Sequence, residues 1–135
     1  MNTPSNNKSL FIAILLSAAL LLPALLQAHH SFAAVFDSNN PVKFQGAVTK
    51  VEWMNPHIWF YIDAKDSKGA VVKWQCEGGN PNTLLRQGWT RETLKVGTTV
   101  EVDGWRARDK TNTCNARSVT ANGKQLFAGS SYGQQ

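Results

Sequence analysis

The chemistry that this sequence could support begins with its three histidines. His29 and His30 directly follow Ala28, and His57 follows Asn55-Pro56. If the chain is cut after Ala28, His29 offers an α-amine and a ring nitrogen to one metal ion, and His57 can add a third nitrogen. Three nitrogens suit Cu(II), whereas Zn(II) is less suited to an open tetragonal site. The histidines therefore predict a copper site formed by His29, His30 and His57, for metal carriage or redox chemistry.

The same histidines have a simpler interpretation. Chain termini are usually loose unless they are tied down, so His29 and His30 would be a solvated, mobile start. His57 would then only orient the preceding turn through a backbone hydrogen bond. For His57 to join a metal site, the mature N-terminus must lie where the strand after this turn begins, held there by Phe32 and Phe36.

A second candidate site is an aromatic strand. From His57 to Ala64 the residues alternate, and one face of the predicted strand is apolar: Ile58, Phe60, Ile62 and Ala64. The other face is both aromatic and polar: His57, Trp59, Tyr61 and Asp63. Such a face is typical of a ligand-binding sheet, although a second apolar layer covered by a loop would give the same pattern. The predicted ligand-binding residues are Asn55, His57, Trp59, Tyr61 and Lys73.

The five tryptophans need not all serve a ligand. In a chain this small, large aromatic side chains also fill the core and its edges. We expect at least three of the five to be structural, and Trp59 to be the exception.

Catalytic chemistry finds no support in the motifs of the chain. The sequence has no Gly-x-Ser-x-Gly elbow, His-Glu-x-x-His pair or phosphate-binding loop. The carboxylates that could act in pairs are scattered along it: Asp37, Asp63, Glu77 and Asp103. Ser31 beside His30 is not a catalytic dyad on adjacency alone. We therefore expect a protein that binds a ligand without transforming it and that has no catalytic residues.

The first 28 residues have the pattern of a signal peptide. Lys8 provides a basic flank, Leu10–Leu26 is apolar, and Ala28 is a small residue at the cleavage position. The alternative is an uncleaved anchor, because a membrane-spanning helix needs about 17–25 residues. Pro23 and the lack of a basic cluster after Ala28 favour cleavage. The sequence thus predicts a periplasmic protein with no stable membrane span after cleavage.

Cleavage leaves residues 29–135, which is enough for one domain with a modest core. Loss of Lys8 lowers the formal net charge from +5 to +4. The remaining charges form no block of one sign, a pattern typical of a solvated surface. Nucleic acid is not expected outside the cytoplasm, so the expected partner is a small molecule, a glycan or a peptide. A structural protein whose edge strands dock a membrane partner is a third class that the sequence leaves open.

Cys76 and Cys114 are the only cysteines. In an oxidising compartment, an even pair in a small exported domain indicates a disulfide. The alternative is two unpaired thiols packed as small apolar groups. A redox-active pair is disfavoured because the spacing is not Cys-x-x-Cys.

The predicted first strand is long and bent. From Val42 to Trp53 the apolar positions are even up to Val48, with Gly46 interrupting, and odd from Val51, which indicates a bulge or a strong bend. A hairpin then joins His57–Ala64 to Val71–Glu77. The later elements are a helix over Thr83–Gln87 capped by Asn80 or Asn82, strands over Thr98–Arg108 and Asn115–Thr120, and a hairpin at Asn122-Gly123.

This order of elements favours a mainly β fold. Three strands, a helix and two strands, with a bent first strand, are the order of a five-stranded oligonucleotide/oligosaccharide-binding (OB) barrel. We expect an OB-like domain over residues 29–128 and a disordered tail over 129–135. A small antiparallel sandwich is the alternative, although it would not need the helix.

Two motifs of the chain are specific: His29-His30-Ser31-Phe32 and Trp53-x-Asn55-Pro56-His57. Others accompany them: Phe36-Asp37, Gly46-x-Val48, Gly88-Trp89, Gly97 and Asn115-Ala116-Arg117-Ser118-Val119. Together they resemble a family of small exported bacterial proteins catalogued as a domain of unknown function. The resemblance covers nearly all of the mature chain and implies a periplasmic protein of Gram-negative bacteria without an established activity. The two cysteines are not part of this pattern.

Overall fold

The computed structural model of the protein describes residues 32–128. Within that range it has two short helices, α1 (Phe32–Val35) and α2 (Pro81–Arg86). Its strands are β1 (Phe36–Glu52), β2 (Trp59–Lys65), β3 (Val71–Glu77), β4 (Thr99–Ala107), β5 (Thr113–Ala121) and β6 (Lys124–Ala128). The architecture is therefore mainly β. The predicted leader and its cleavage position, His29, His30 and the tail from Gly129 lie outside the described residues.

The six strands form one sheet in the order β3-β2-β1-β4-β5-β6, and β3 also pairs with β5. The β3–β5 pair is parallel, whereas the other pairs are antiparallel. This extra pairing closes the hydrogen bonding into a ring of five strands, β1 to β5. The predicted count of five therefore matches the ring, and β6 adds a sixth strand beside β5. Asn122 and Gly123, both with positive φ, form the β5–β6 turn, as expected for this hairpin signal.

Strand β1 serves two partners, as its sequence pattern predicts. The part up to Ala47 pairs with β4, and the part from Gly46 pairs with β2, with a register shift between Val48 and Lys50 inside the β1–β2 ladder. Gly46 pairs with both neighbours. A Cβ at this position would meet the Asp63 carbonyl oxygen and lie 2.6 Å from Ile62 Cγ2, so only glycine allows this close approach. The predicted change of face is confirmed as a bulge.

β1 begins earlier than the sequence predicts. The prediction placed its start at Val42, whereas the structure starts it at Phe36. The intervening Asp, Ser, Asn and Pro residues are typical of loops. Phe36 and Pro41 pair with Ala107 and Trp105 of β4, and the four residues between them bulge out of this ladder. Tertiary pairing here overrides the local preference.

The core contains the apolar face of β2, as predicted. The four side chains of that face are at most 2% exposed: Ile58, Phe60, Ile62 and Ala64. They pack with buried residues from β1, β4 and β5, among them Val48, Val102 and Val119. Leu84 of α2 belongs to the same cluster and is fully buried. Most apolar side chains of the sheet thus pack inward, and its described polar side chains are exposed or half-buried except those of Thr113 and Asn115.

A disulfide joins Cys76 to Cys114 across the parallel β3–β5 pair. The two cysteines are register partners with a Cα–Cα distance of 4.6 Å, and both are fully buried. The predicted disulfide is confirmed. It covalently links the strand pair that closes the ring.

A second, smaller cluster lies where the described chain begins. Phe32 and Phe36 are buried against Ala107, and Trp105 packs on them. The Phe32 ring meets the Trp105 ring edge-on at 5.3 Å. Arg108 holds α1 through two bonds, from its Nε to the Ala33 carbonyl and from its backbone N–H to Val35. Helix α1 is thereby fixed to the end of β4.

Helix α2 begins at Pro81, two residues before the predicted start at Thr83, and Asn80 is the one of the two predicted caps that it uses. The Asn80 side chain caps it by accepting hydrogen bonds from the N–H groups of Asn82 and Thr83. Pro81 occupies the first turn, where its missing N–H costs nothing. Gly88 follows the helix with a φ of 86°. None of the helices in residues 32–128 is long and apolar enough to cross a membrane.

Candidate functional site

The turn before β2 positions His57. The Asn55-Pro56 peptide bond is cis, and the Asn80 Nδ2 group donates to the Pro56 carbonyl at 3.0 Å. Two backbone bonds link Ile58 to the glycines after β3, from Ile58 N–H to Gly79 and from Gly78 N–H to Ile58. The cap of α2 and the end of β3 therefore hold this turn in place.

His57 lies beside a carboxylate. Its Nδ1 is 2.9 Å from Glu77 Oε1, and the two side chains are 28% and 13% exposed. The buried Asn115 donates from Nδ2 to the same oxygen at 3.4 Å. The sequence pattern did not predict Glu77 as the partner of His57, because Glu77 is one of several carboxylates scattered along the chain. The β2–β3 hairpin register, which places Glu77 opposite Trp59, is the signal that could have identified it.

The predicted ligand-binding residues of β2 share one side of the sheet. Trp59, Tyr61 and Asp63 are half-buried and alternate with the core residues. Their register partners on β3 are Glu77, Gln75 and Lys73. On β1, after the bulge, Glu52 is the register partner of Trp59, and Lys50 is the register partner of Tyr61. We call these outward side chains the β2 face: Lys50, Glu52, Trp59, Tyr61, Asp63, Lys73 and Gln75.

The other predicted residues border this face or belong to it. Lys73 is exposed opposite Asp63, and Asn55 is exposed in the cis turn. His57 precedes Trp59 by two residues and is half-buried at the start of β2. Lys50 and Glu52 were not predicted. Their signal was the alternation after the phase slip, where Lys50 and Glu52 alternate with Val51 and Trp53.

A hydrogen-bonded triad organises the centre of the β2 face. Tyr61 donates its hydroxyl proton to Glu52 Oε2 at 2.7 Å, and Lys50 Nζ pairs with Glu52 Oε1. Hydrogen bonds from Lys50 and Tyr61 lower the pKa of Glu52. The bond to Glu52 raises the pKa of Tyr61, and the same carboxylate raises the pKa of Lys50. Lys50 Nζ also lies 5.0 Å from the Tyr61 ring centre.

The surface that residues 32–128 form has shallow depressions, and two of them differ in the character of their lining. One, of about 230 Å³, overlaps the β2 face, and two of its lining residues are aromatic. Its lining residues are Thr49, Lys50, Tyr61, Asp63, Lys73 and Trp74. The larger, of about 410 Å³, has only polar or small lining residues: Gln45, Thr99, Glu101, Thr120, Asn122 and Gly123. Size alone favours the second, but recognition sites combine apolar rings with a few polar groups. We therefore regard the first as the candidate site.

Four of the five tryptophans pack in or against an apolar cluster, and Trp59 does not, as the sequence predicts. Trp89 is buried, and Trp53 and Trp74 pack against the main cluster. Trp74 stacks on Phe44 with ring centres 4.4 Å apart. Trp105 belongs to the cluster with Phe32. Trp59 belongs to neither cluster and is only half-buried, which leaves part of its ring facing outward on the β2 face.

The proposed metal ligands are divided between described and undescribed parts of the chain. His29 and His30 lie outside the described residues, so their relation to His57 stays a prediction. Within residues 32–128, no three or more His, Cys, Asp and Glu side chains lie together as a metal-binding group.

Comparisons with known proteins show the family of the chain. No curated protein sequence matches it. Among solved structures, it is similar to the N-terminal domain of the PriB protein from Thermoanaerobacter tencongensis, with 20% identity and a TM-score of 0.39. That match covers 62% of this chain and 96% of the PriB domain. The model of a family of unknown function, DUF6152, matches residues 17–116. The chain therefore belongs to the DUF6152 family.

Proposed function

We propose that the protein is an exported, non-enzymatic binding protein whose β2 face holds a neutral glycan chain. The half-buried Trp59 is the observation that carries this proposal. It lies outside both apolar clusters, and polar side chains of β1 and β3 surround it. An aromatic ring with one apolar surface and a polar border can stack on a sugar ring while its neighbours bond the hydroxyl groups.

The charges of the β2 face favour a neutral ligand over a polyanion. Lys50 and Lys73 are balanced by Glu52 and Asp63, and Glu77 adds a further carboxylate beside Trp59. Binding of nucleic acid or sulfated glycans depends on an excess of lysine and arginine at the contact. Carboxylate, amide and amine groups together can instead accept from and donate to sugar hydroxyls.

The shape of the face favours an extended ligand over an enclosed small molecule. Pockets for small molecules usually have about 300–1,000 Å³ and bury most of the ligand. The depression on the β2 face is smaller, about 230 Å³, and it is open. From Trp59 to Asp63 the outward side chains follow β2 for about 13 Å, given a rise of roughly 3.3 Å per residue. Such a row can contact consecutive sugar units of a chain.

The ring of strands also supports the β2 face as the binding surface. We assign it as an OB-like barrel, because five strands close by the β3–β5 pair, β1 is bent, and α2 lies between β3 and β4. In OB barrels the surface of the second and third strands binds oligosaccharides or oligonucleotides. The β2 face occupies the corresponding position.

The disulfide of the chain is consistent with export. Disulfides persist in oxidising compartments such as the periplasm. Cys76 and Cys114 form one, and the leader pattern over residues 1–28 predicts secretion. We therefore place the working protein in the periplasm, with cleavage after Ala28.

Calorimetric titration with neutral oligosaccharides tests the function. Cellohexaose and chitohexaose are suitable probes, with a sulfated heparin hexasaccharide as the anionic comparison. Trp59→Ala should weaken binding by about 2 kcal/mol, as truncation of a central aromatic anchor does, or roughly thirtyfold. Gln45→Ala, in the polar depression, is the matched control and should leave affinity unchanged. Absence of binding to both neutral probes, or tighter binding of the sulfated one, would contradict the proposal.

A further inference from the structure

The depression on the β2 face contains two opposite charges that lie side by side without pairing. Asp63 of β2 and Lys73 of β3 are register partners, so their side chains share one side of the sheet. Both line the depression, where Asp63 is half-buried and Lys73 is exposed. Within residues 32–128, neither side chain forms an ion pair or a hydrogen bond with another residue. A ligand therefore meets an acceptor and a donor at neighbouring positions.

The other charged group of the depression is already engaged. Lys50 pairs with Glu52, and the Tyr61 hydroxyl donates to the same carboxylate. The charge of Lys50 is thereby balanced within the β2 face. Asp63 and Lys73 balance each other in the same way. The depression therefore favours a neutral group that can both donate and accept a hydrogen bond.

Aromatic side chains give the depression an apolar border. Trp74 and Tyr61 both line it. The Trp74 ring stacks on Phe44 with ring centres 4.4 Å apart, and the Arg106 guanidinium carbon lies 5.3 Å from its centre. These contacts fix the indole in place. A methyl group that enters the depression can thus contact aromatic carbon without displacing a side chain.

An acetamido group has all three of the required features. Its carbonyl oxygen accepts a hydrogen bond, its N–H donates one, and its methyl group is apolar. The ammonium group of Lys73 can donate to the carbonyl while the carboxylate of Asp63 accepts from the N–H. Hydrogen bonds to charged partners are stronger than those between neutral groups. A sugar hydroxyl offers a single oxygen atom and no methyl group, so it matches the depression less well.

The position and size of the depression suit a substituent of a chain. Asp63 lies four residues after Trp59 on β2, or about 13 Å along the strand. Both side chains point outward, so an extended chain stacked on Trp59 can continue over the depression. Its volume of about 230 Å³ is below the roughly 300–1,000 Å³ of pockets that enclose a whole small molecule.

We propose that the β2 face selects chains of 2-acetamido sugars. The acetamido group of one sugar unit is held between Asp63 and Lys73, while another unit of the same chain stacks on Trp59. This inference rests on the proposed function, because it names the sugar class that the same face binds. Unsubstituted glucans share the stacking on Trp59 but lack the group that bridges the two charged side chains.

Calorimetric titration with three chains of equal length tests the selection. The probes are chitohexaose, cellohexaose and the fully deacetylated glucosamine hexamer, which is cationic. Asp63→Ala and Lys73→Ala each remove one partner of the acetamido group. Lys124→Ala, which removes an exposed lysine of β6, is the matched control. Circular dichroism and the cellohexaose affinity of each variant show whether the fold and the stacking surface are intact.

Chitohexaose should bind the unmodified protein at least about tenfold more tightly than cellohexaose, since one hydrogen bond to a charged group contributes about that factor. Asp63→Ala and Lys73→Ala should each lower the affinity for chitohexaose by about tenfold and that for cellohexaose by much less. The Lys124→Ala protein should keep the full preference for chitohexaose.

Three results would overturn the acetamido site and leave the proposed function standing. The first is equal affinity for chitohexaose and cellohexaose, with Trp59→Ala weakening both. The second is a full preference for chitohexaose in both Asp63→Ala and Lys73→Ala. The third is tighter binding of the glucosamine hexamer than of chitohexaose, which would indicate attraction of a cation to Asp63. If neither chitohexaose nor cellohexaose binds, the proposed function and this inference fail together.

Discussion

Tyr61 and Glu52 are joined by a 2.7 Å hydrogen bond across the β1–β2 ladder, immediately beyond the bulge in β1. The bulge is what makes this contact possible, because the register shift moves Lys50 and Glu52 to the outward side of the sheet. A one-residue slip in a strand moves every following side chain to the opposite face. The irregularity in β1 thus contributes two of the polar groups of the β2 face.

Replacing Glu52 should alter the titration of Tyr61. The negative carboxylate accepts the phenolic proton and raises the pKa of Tyr61, so Glu52→Gln should bring that pKa back towards its ordinary value. Ultraviolet absorbance of the phenolate measures it, in a Tyr132→Phe background that leaves Tyr61 as the one tyrosine. Glu101→Gln, at an exposed carboxylate paired with Lys43, is the control and should leave the Tyr61 titration unchanged.

Because of the Tyr61–Glu52 bond, the free energy of unfolding should depend on pH in the alkaline range. A group whose pKa is raised by folding contributes stability that is present below its unfolded pKa and lost as pH rises through the folded value. The contribution of Tyr61 should therefore disappear as pH rises above the ordinary tyrosine range. In the Glu52→Gln protein, urea unfolding should show a smaller loss over that interval. Identical pH profiles would mean that the Tyr61–Glu52 bond contributes nothing to folding.

Removal of the disulfide should destabilise the domain strongly. Cys76 and Cys114 are 38 residues apart in sequence. In the chain-entropy account, closing a loop of about that length contributes roughly 4 kcal/mol at 25 °C. Urea unfolding of the Cys76→Ala/Cys114→Ala protein measures the loss, with the reduced native protein as a comparison. A change below about 1 kcal/mol would show that the closed ring holds without this link, since removal of a native disulfide typically costs 2–5 kcal/mol.

A methyl group at Gly46 should disrupt β1 where it contacts β2. The added Cβ would meet the Asp63 carbonyl and the Ile62 side chain, and the first of these belongs to the backbone and cannot rotate away. We expect Gly46→Ala to lower the free energy of unfolding by about 1–3 kcal/mol, as overpacking does. Gln45→Ala, at the exposed neighbouring position, should be nearly neutral. Equal stability of both variants would contradict the proposed close approach.

Local patterns predicted the elements whose neighbours are close in sequence. The alternation from Ile58 to Ala64 located the buried face of β2, and the phase slip between Val48 and Val51 located the bulge. Both depend on the two-residue period of a strand, which one segment displays by itself. The oxidising compartment implied by the leader pattern was enough to predict the disulfide.

Contacts between distant segments could not be predicted in this way. The Glu77–His57 pair depends on the β2–β3 register, and the Asn115 contact depends on the parallel β3–β5 pair. The packing of Phe32 on Trp105 joins residues that are far apart in the chain. The polar run before Pro41 has the composition of a loop, yet it lies within β1 because Phe36 and Pro41, at its two ends, pair with β4. Each of these features follows from tertiary pairing, which single-segment periodicity does not contain.

The most direct test of the proposed glycan-binding surface is a two-dimensional ¹⁵N NMR spectrum of the indole N–H groups. The signals of the five tryptophans are assigned by single Trp→Phe substitutions. Addition of cellohexaose or chitohexaose should shift the Trp59 signal most, because its ring alone lies outside both clusters among these tryptophans. The buried Trp89, whose indole donates to the Leu126 carbonyl, should stay in place. The account is contradicted if neither sugar binds. It is also contradicted if a sugar binds to saturation and the Trp59 signal does not move.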